Sequence, residues 1–154
     1  MLDNLFVAGA VAAVGEALAS AHADEGTVAV IGNARLAGAL AKQRTTLAVG
    51  LSARAAKKVP GAVDDLAGVE ARSLAAVIVV DVATVEAWEA SLREWTRVVR
   101  DGGAIVLVDH GHAPEASRRA LCGGLTELEQ RRAGRSIVTS GLVSHLVDLA
   151  SLGA

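Results

Sequence analysis

The sequence predicts a doubly wound α/β domain, and the stretch from Leu74 to Gly111 carries most of that prediction. Two runs, Ala75–Val80 and Ala104–Val108, are continuously apolar and rich in β-branched residues, as strands covered on both faces are. Between them Val85, Trp88, Leu92, Trp95 and Val99 recur at spacings that place them on one helical stripe. Glu86, Glu89, Arg93, Glu94, Arg97 and Arg100 lie largely off that stripe, with Glu89 and Arg93 set for a favourable pair one turn apart. Asp101-Gly102-Gly103 reads as a left-handed helix stop ahead of the second strand. Two buried strands joined by one helix imply a right-handed parallel crossover.

Length and composition bound the rest. A chain of 154 residues suits one domain, divided here into an N-terminal helix (2–23), a core (27–143) and a tail (144–154). Hydrophobic residues make up 52% but aromatics only 2%, so burial must come from many small contacts and close helix approach. The formal net charge of −2 gives no global field for nucleic acid, and no nucleic-acid partner is expected. Cys122 is the only cysteine, which excludes an intrachain disulfide and a multi-cysteine zinc site and fits a reducing, cytoplasmic setting.

Taken in order, Leu2–Ala23 reads as a helix. Its start carries Asp3 rather than basic residues, against a signal peptide, and Glu16 with many alanines and glycines argues against a membrane span. Phe6, Ala10, Ala13 and Ala17 share one face and Val7, Val11, Val14 and Leu18 another, so this helix, with Leu5 also apolar, has two apolar faces. One face can pack on the sheet. The other, like the tail stripe Leu146, Leu149 and Leu152, is expected to meet a second copy or a protein partner, unless tail and helix cover each other within the chain. Thr27–Ile31 is a strand, Ala34–Gln43 a helix and Leu47–Leu51 a second strand. Ser52 caps a short helix that ends near Val59-Pro60-Gly61. Ala62-Val63 reads as a short edge strand, with Asp64-Asp65 in the loop after it. Pro114 opens a helix that ends at Gly123-Gly124. Leu125–Arg131 and Arg135–Val143 form a closing hairpin around Ala133-Gly134.

From about Thr27 to Val143 the chain resembles a class I S-adenosylmethionine-dependent methyltransferase domain. Leu92-Arg-Glu-Trp-Thr-Arg-Val-Val-Arg-Asp-Gly-Gly-Ala-Ile-Val-Leu-Val-Asp109 is similar to that family's helix, Gly-Gly turn and fifth strand. The closing hairpin, with Gly124-Leu125 before it and Ser136–Gly141 within it, resembles the family's last two strands. The resemblance implies a three-layer sandwich with a seven-stranded sheet in the order 3-2-1-4-5-7-6, parallel except for the seventh strand. It also implies where cofactor contacts would stand, and there the sequence departs from the family. Val30 occupies the acidic position of the first strand in Val28-Ala-Val-Ile-Gly32, and the glycine-rich loop is cut to Gly32-Asn33-Ala34. Gly50 stands where the second strand ends in the carboxylate that grips the ribose hydroxyls. Asp64 or Asp65 matches the acidic position on the adenine side. The candidate cofactor-binding residues are therefore Gly32, Asn33, Asp64 and Asp81, and no catalytic residue is assigned.

Other polar residues gather at strand ends. Asp81 follows one buried strand and Asp109-His110-Gly111-His112 the next, and in a parallel sheet those ends share the edge where ligands bind. They could hold a divalent metal or act as acid and base, but a polar loop capping strand ends is the plainer reading. No metal is expected, since His110 and His112 are two apart with no third histidine near. Gly32-Asn33-Ala34 could meet an anion through helix amides, though no fuller glycine motif accompanies it. His22 and His145 are isolated, Cys122 is expected on a packed helix surface without an adjacent base, and Trp88 and Trp95 are expected in the core.

Three functions fit. The preferred one is a methyltransferase-like domain with a degraded cofactor site, serving as a non-catalytic binding, scaffolding or self-assembling subunit with no cofactor, or S-adenosylmethionine if any. The double loss at Val30 and Gly50 favours it, as does a chain hardly longer than the bare core. The alternatives are a divergent active methyltransferase, and another Rossmann-like nucleotide or metal binder using Asp81, Asp109 and His110.

Overall fold

A computed structural model describes residues 2–23, 25–84 and 86–145, with their side chains except those of 2–8 and 84. Val85, the side chains of Leu5, Phe6 and Val7, and the tail stripe Leu146, Leu149 and Leu152 lie outside the described residues. The strands are β1 (Val28–Ile31), β2 (Thr46–Val49), β3 (Leu74–Val80), β4 (Val99–His110), β5 (Thr126–Ala133) and β6 (Ser136–Leu142). The helices are α1 (Leu2–Ser20), α2 (Ala34–Ala41), α3 (Ala53–Ala56), α4 (Trp88–Val98) and α5 (Ala113–Cys122), and one further turn of helix spans Val82–Thr84.

The sheet has six strands in the order β2-β1-β3-β4-β6-β5, rather than the seven expected. The first four are mutually parallel, and β6 runs antiparallel between β4 and β5. The missing strand survives as a single parallel bridge between Val49 and Val63, on the outer side of β2. Val63 N–H donates to Ala48 O (3.0 Å) and Gly50 N–H to Val63 O (3.0 Å), and pairing goes no further. The edge strand expected at Ala62-Val63 is thus one residue deep. Pro60 and Gly61 before it and Asp64-Asp65 after it offer little to a ladder.

The unbroken apolar runs follow from two cores, one on each face. Successive strand residues alternate between them: Val28, Val30, Ala76, Ile78, Val106 and Val108 pack toward α1 and α2. Ala29, Val77, Val79, Ile105 and Leu107 pack toward Trp88, Leu92, Trp95 and Val98 of α4. A strand with both faces covered has no polar side to show.

The first core is built close. Ala10, Ala13, Val14, Ala17 and Leu18 of α1 are all buried, and Val11 packs partly against the same cluster. The two apolar faces of this helix therefore merge, at these positions, into one broad stripe on the chain's own core. Among the described residues, the large hydrophobics left exposed are Val63 and Leu121.

The helix stop is also corrected. α4 ends at Val98, and Val99 is already extended, so Asp101-Gly102-Gly103 does not cap it. The glycines sit in an irregular start of β4, where two steps along β3 (Leu74 to Ala76) match five along β4 (Val99 to Ala104). Gly102 takes the left-handed turn at φ +79°. Gly103 is needed for space, because a β-carbon there would lie 2.6 Å from Ala75 O and 2.5 Å from Val99 Cγ1. His145 closes this irregularity: its backbone N–H donates to Asp101 Oδ1 (2.8 Å), and its ring Nε2 donates to Val99 O (2.8 Å). A carbonyl only accepts, so Nε2 carries the proton.

Candidate functional site

The carboxyl ends of β1, β2, β3 and β4 share one edge of the sheet, which is where an α/β fold of this kind places its ligands. At the end of β1 the chain turns through Gly32 (φ +77°), whose N–H donates to Val49 O (2.8 Å). Asn33 then caps α2, its Oδ1 accepting from Leu36 N–H (2.9 Å). Asparagine does this because its short side chain reaches the orphan amides of the first turn. At the end of β2, Gly50 takes φ +67°, and a β-carbon there would sit 3.7 Å from Asp64 O. Gly50 and Asp64 are thus neighbours. Asp64 itself is exposed, and Asp65 is engaged locally, accepting from Ala67 N–H (2.9 Å).

The most constructed part lies between β3 and β4. Asp81 adopts the left-handed conformation (φ +60°), uncommon for a residue with a side chain, and its N–H donates to Val108 O (2.8 Å). Its Oδ1 lies 3.0 Å from His110 Nδ1, an exposed pair. Asp109, by contrast, is 1% exposed. Its Oδ1 accepts from Ala83 N–H (2.9 Å), while its Oδ2 is buried without a hydrogen-bond partner among the described residues. Burial pushes the Asp109 pKa up, against the pull of the Ala83 amide; the Asp81 charge raises it further, and His112 and the Val82 amide lower it. Arg119 of α5 reaches the same loop, donating to Val82 O (2.5 Å) and to Glu115 Oε1 (2.9 Å). The Asp81 loop is therefore held from both sides, by Asp109 and Arg119.

Chemically, Asp81 and His110 form an oriented carboxylate–imidazole pair on the ligand edge, able to take up or hand over a proton. The structure thus brings Asp81 and His110 together, and Asp109 underneath them. Gly32 and Asn33 belong to a separate turn at the same edge. Among the described residues, no three histidine, cysteine, aspartate or glutamate side chains converge as metal ligands would.

Cys122 is exposed at the end of α5, not packed as expected. Trp88 and Trp95 are buried, and the guanidiniums of Arg119 and Arg118 lie 5.2 Å and 6.0 Å from the Trp88 ring centre. The roles of Asp109 and Arg119 were hidden in the sequence because their partners lie 26 and 37 residues away. The signal available was an aspartate closing an otherwise apolar strand.

Comparison with known proteins places the fold. The chain aligns with a methyltransferase structure from Methanococcus maripaludis described as S-adenosyl-L-methionine-dependent, at 15% identity and a TM-score of 0.62, covering 77% of this chain and 78% of that one. A chain from the complex of a methyltransferase and its Trm112 activator in Haloferax volcanii gives 15% identity and a TM-score of 0.62, over 78% and 83%. A 16S rRNA N2 methyltransferase of T. thermophilus, solved with AdoMet and guanosine, gives 18% and 0.58, and there the match spans 78% of this chain but only 36% of the other. No protein-family model and no curated protein matches the sequence. The chain has the class I methyltransferase-like Rossmann fold. At these identities the likeness is one of fold, with a six-stranded sheet that is parallel apart from its closing hairpin. Among the described residues no helix is long and apolar enough to cross a membrane.

Proposed function

We propose that this chain is a methyltransferase-like domain whose S-adenosylmethionine site has degenerated, and that it serves as a non-catalytic binding or scaffolding subunit. The observation that carries this reading is the pair Val30 and Gly50. Val30 is fully buried in the core between β2 and β3, and Gly50 turns away at the end of β2 with no side chain to offer. The resemblance puts carboxylates at both positions. A charge-assisted hydrogen bond contributes roughly 1.5–3 kcal/mol, so losing both contacts weakens cofactor binding by about two to four orders of magnitude.

The partner on this reading is a protein rather than a membrane or nucleic acid. The Haloferax volcanii neighbour, solved with an activator protein, is a precedent for that mode in the same fold. Self-association through α1 or the tail is the other form of the proposal, and light scattering of the wild-type chain beside a Val11→Glu variant decides it. A wild-type monomer removes self-association.

The cofactor part is tested by calorimetry with S-adenosylmethionine and S-adenosylhomocysteine on the purified chain. Binding no tighter than the high micromolar range is expected; a dissociation constant near micromolar overturns the reading. The second reading, a divergent active enzyme, is favoured by the ordered Asp81–His110 pair on the ligand edge. Methyl transfer abolished by His110→Ala would establish it.

A further inference from the structure

Charge is distributed very unevenly along this chain. Residues 26–63 carry six of the fifteen basic residues, Arg35, Lys42, Arg44, Arg54, Lys57 and Lys58, and none of the seventeen acidic ones. An acidic protein therefore has one strongly basic segment, and that segment is α2, β2 and α3. Three of its cations, Arg35, Arg54 and Lys58, line a single pocket of about 400 Å³ between the start of α2 and α3. Ala34, Ser52, Ala55 and Val59 complete the lining. Among the described residues no acidic side chain lines it.

We propose that this pocket binds a nucleoside phosphate. Three positive side chains around one cavity, on a chain that is otherwise net negative, suit an anion. Two guanidiniums and an ammonium are the groups that recognise phosphate oxygens, the former by paired donors and the latter as a point charge. The first turn of α2 lines the same cavity, and its dipole has the same sign. A bare phosphate would leave most of the space unfilled, since the volume falls within the range of small-molecule sites, roughly 300–1,000 Å³. The walls of Ala34, Ala55 and Val59 meet a body with little charge. With no aromatic side chain in the lining among the described residues, the base would lie against aliphatic wall rather than stack. Ser52 Oγ already accepts from Ala55 N–H (3.2 Å), so it steadies α3 and leaves anion binding to the cations. The site goes beyond the proposed loss of S-adenosylmethionine binding and stands whether or not that cofactor binds.

The test is calorimetric titration of the full chain with ADP, inorganic pyrophosphate, adenosine and a short DNA duplex. Two double variants accompany it: Arg54→Ser with Lys58→Ser, and Arg132→Ser with Arg135→Ser as an equal change of charge on the far hairpin. All four residues are exposed, and α3 contains no buried residue, so both variants are expected to fold. ADP should bind, pyrophosphate more weakly and adenosine not at all, with the Arg54/Lys58 pair weakening ADP by roughly tenfold or more and the hairpin pair leaving it unchanged. The proposal is overturned if ADP fails to bind at millimolar concentration, or if both double variants weaken it alike. It is also overturned if adenosine binds as well as ADP, or if the duplex binds while ADP does not. Titration with S-adenosylmethionine in the same series reads the cofactor proposal separately.

Discussion

Gly123 sits directly against Leu92: a β-carbon at position 123 would fall 1.9 Å from Leu92 Cδ2. The end of α5 and the middle of α4 approach as closely as a glycine allows. Since Gly123 has an ordinary backbone conformation (φ −79°), the constraint is space rather than torsion. Gly123→Ala should destabilise the chain by about 1–3 kcal/mol in urea unfolding. In a Leu92→Ala background, which by itself costs about 2–5 kcal/mol, the same substitution should cost less than about 0.5 kcal/mol. Simple additivity of the two would refute the contact.

Gly102 and Gly103 should respond differently to alanine. Gly102 has a left-handed backbone and open space, so alanine there costs about 1–2 kcal/mol of torsional strain, and asparagine less. Gly103 would meet backbone as well as side chain, at Ala75 O and Val99 Cγ1, so Gly103→Ala should cost more than Gly102→Ala, and asparagine should bring no relief. Thermal unfolding of the four variants decides the order.

Asp109 predicts a pH dependence with a definite sign. Its folded pKa is raised by burial above the ordinary aspartate value of 3.8. The protonated form is therefore favoured by folding, and this contribution is full below that value and lost as pH rises through the folded pKa. An Asp109→Asn variant lacks the titration. The stability of wild type minus variant should fall as pH rises from below the ordinary aspartate value of 3.8 through the raised folded pKa. A flat difference would mean that Asp109 is ionised without penalty.

Arg97 ties the irregular segment after the vestigial edge strand to α4. Its guanidinium donates to Leu66 O (2.9 Å) and Val69 O (3.1 Å) while paired with Glu94 (2.7 Å). Arg72 N–H donates in turn to Arg97 O (2.9 Å). Arg97→Gln should leave global unfolding little changed but speed amide exchange at residue 69, whose N–H turns back to Leu66 O. Unchanged exchange there would show that the segment holds without it.

The central strands β1, β3 and β4 were legible because both of their faces are covered, which leaves long apolar runs, whereas β5 is polar and largely exposed and was legible only from the turn that follows it. The vestigial strand was legible only as the pair Ala62-Val63, because one bridge leaves almost no pattern. The Gly-Gly turn announced itself, but its meaning did not: sequence shows that glycine is present, and only the approach of Ala75 O shows why. At the ligand edge, local features such as the Asn33 cap could be read directly. The hold of Asp109 on Ala83, and of His145 on Val99, joins residues far apart in the chain and leaves no local trace. Along Ala10–Leu18 the two apolar faces of α1 meet one broad stripe on the chain's own core, a packing that helical spacing alone did not distinguish from a second, outward face.

Both tryptophans ride on α4, and the chain has no tyrosine. Tryptophan absorbance and emission therefore come from a single helix on one side of the sheet, with Trp88 beneath two guanidiniums. An optical melting curve followed at tryptophan emission reports little of α1 and α2, which carry no tryptophan. Far-ultraviolet dichroism registers both layers. Any gap between the two curves measures how far the halves of this sandwich can come apart independently, and a site-specific fluorophore on α2 would be needed to see the silent side.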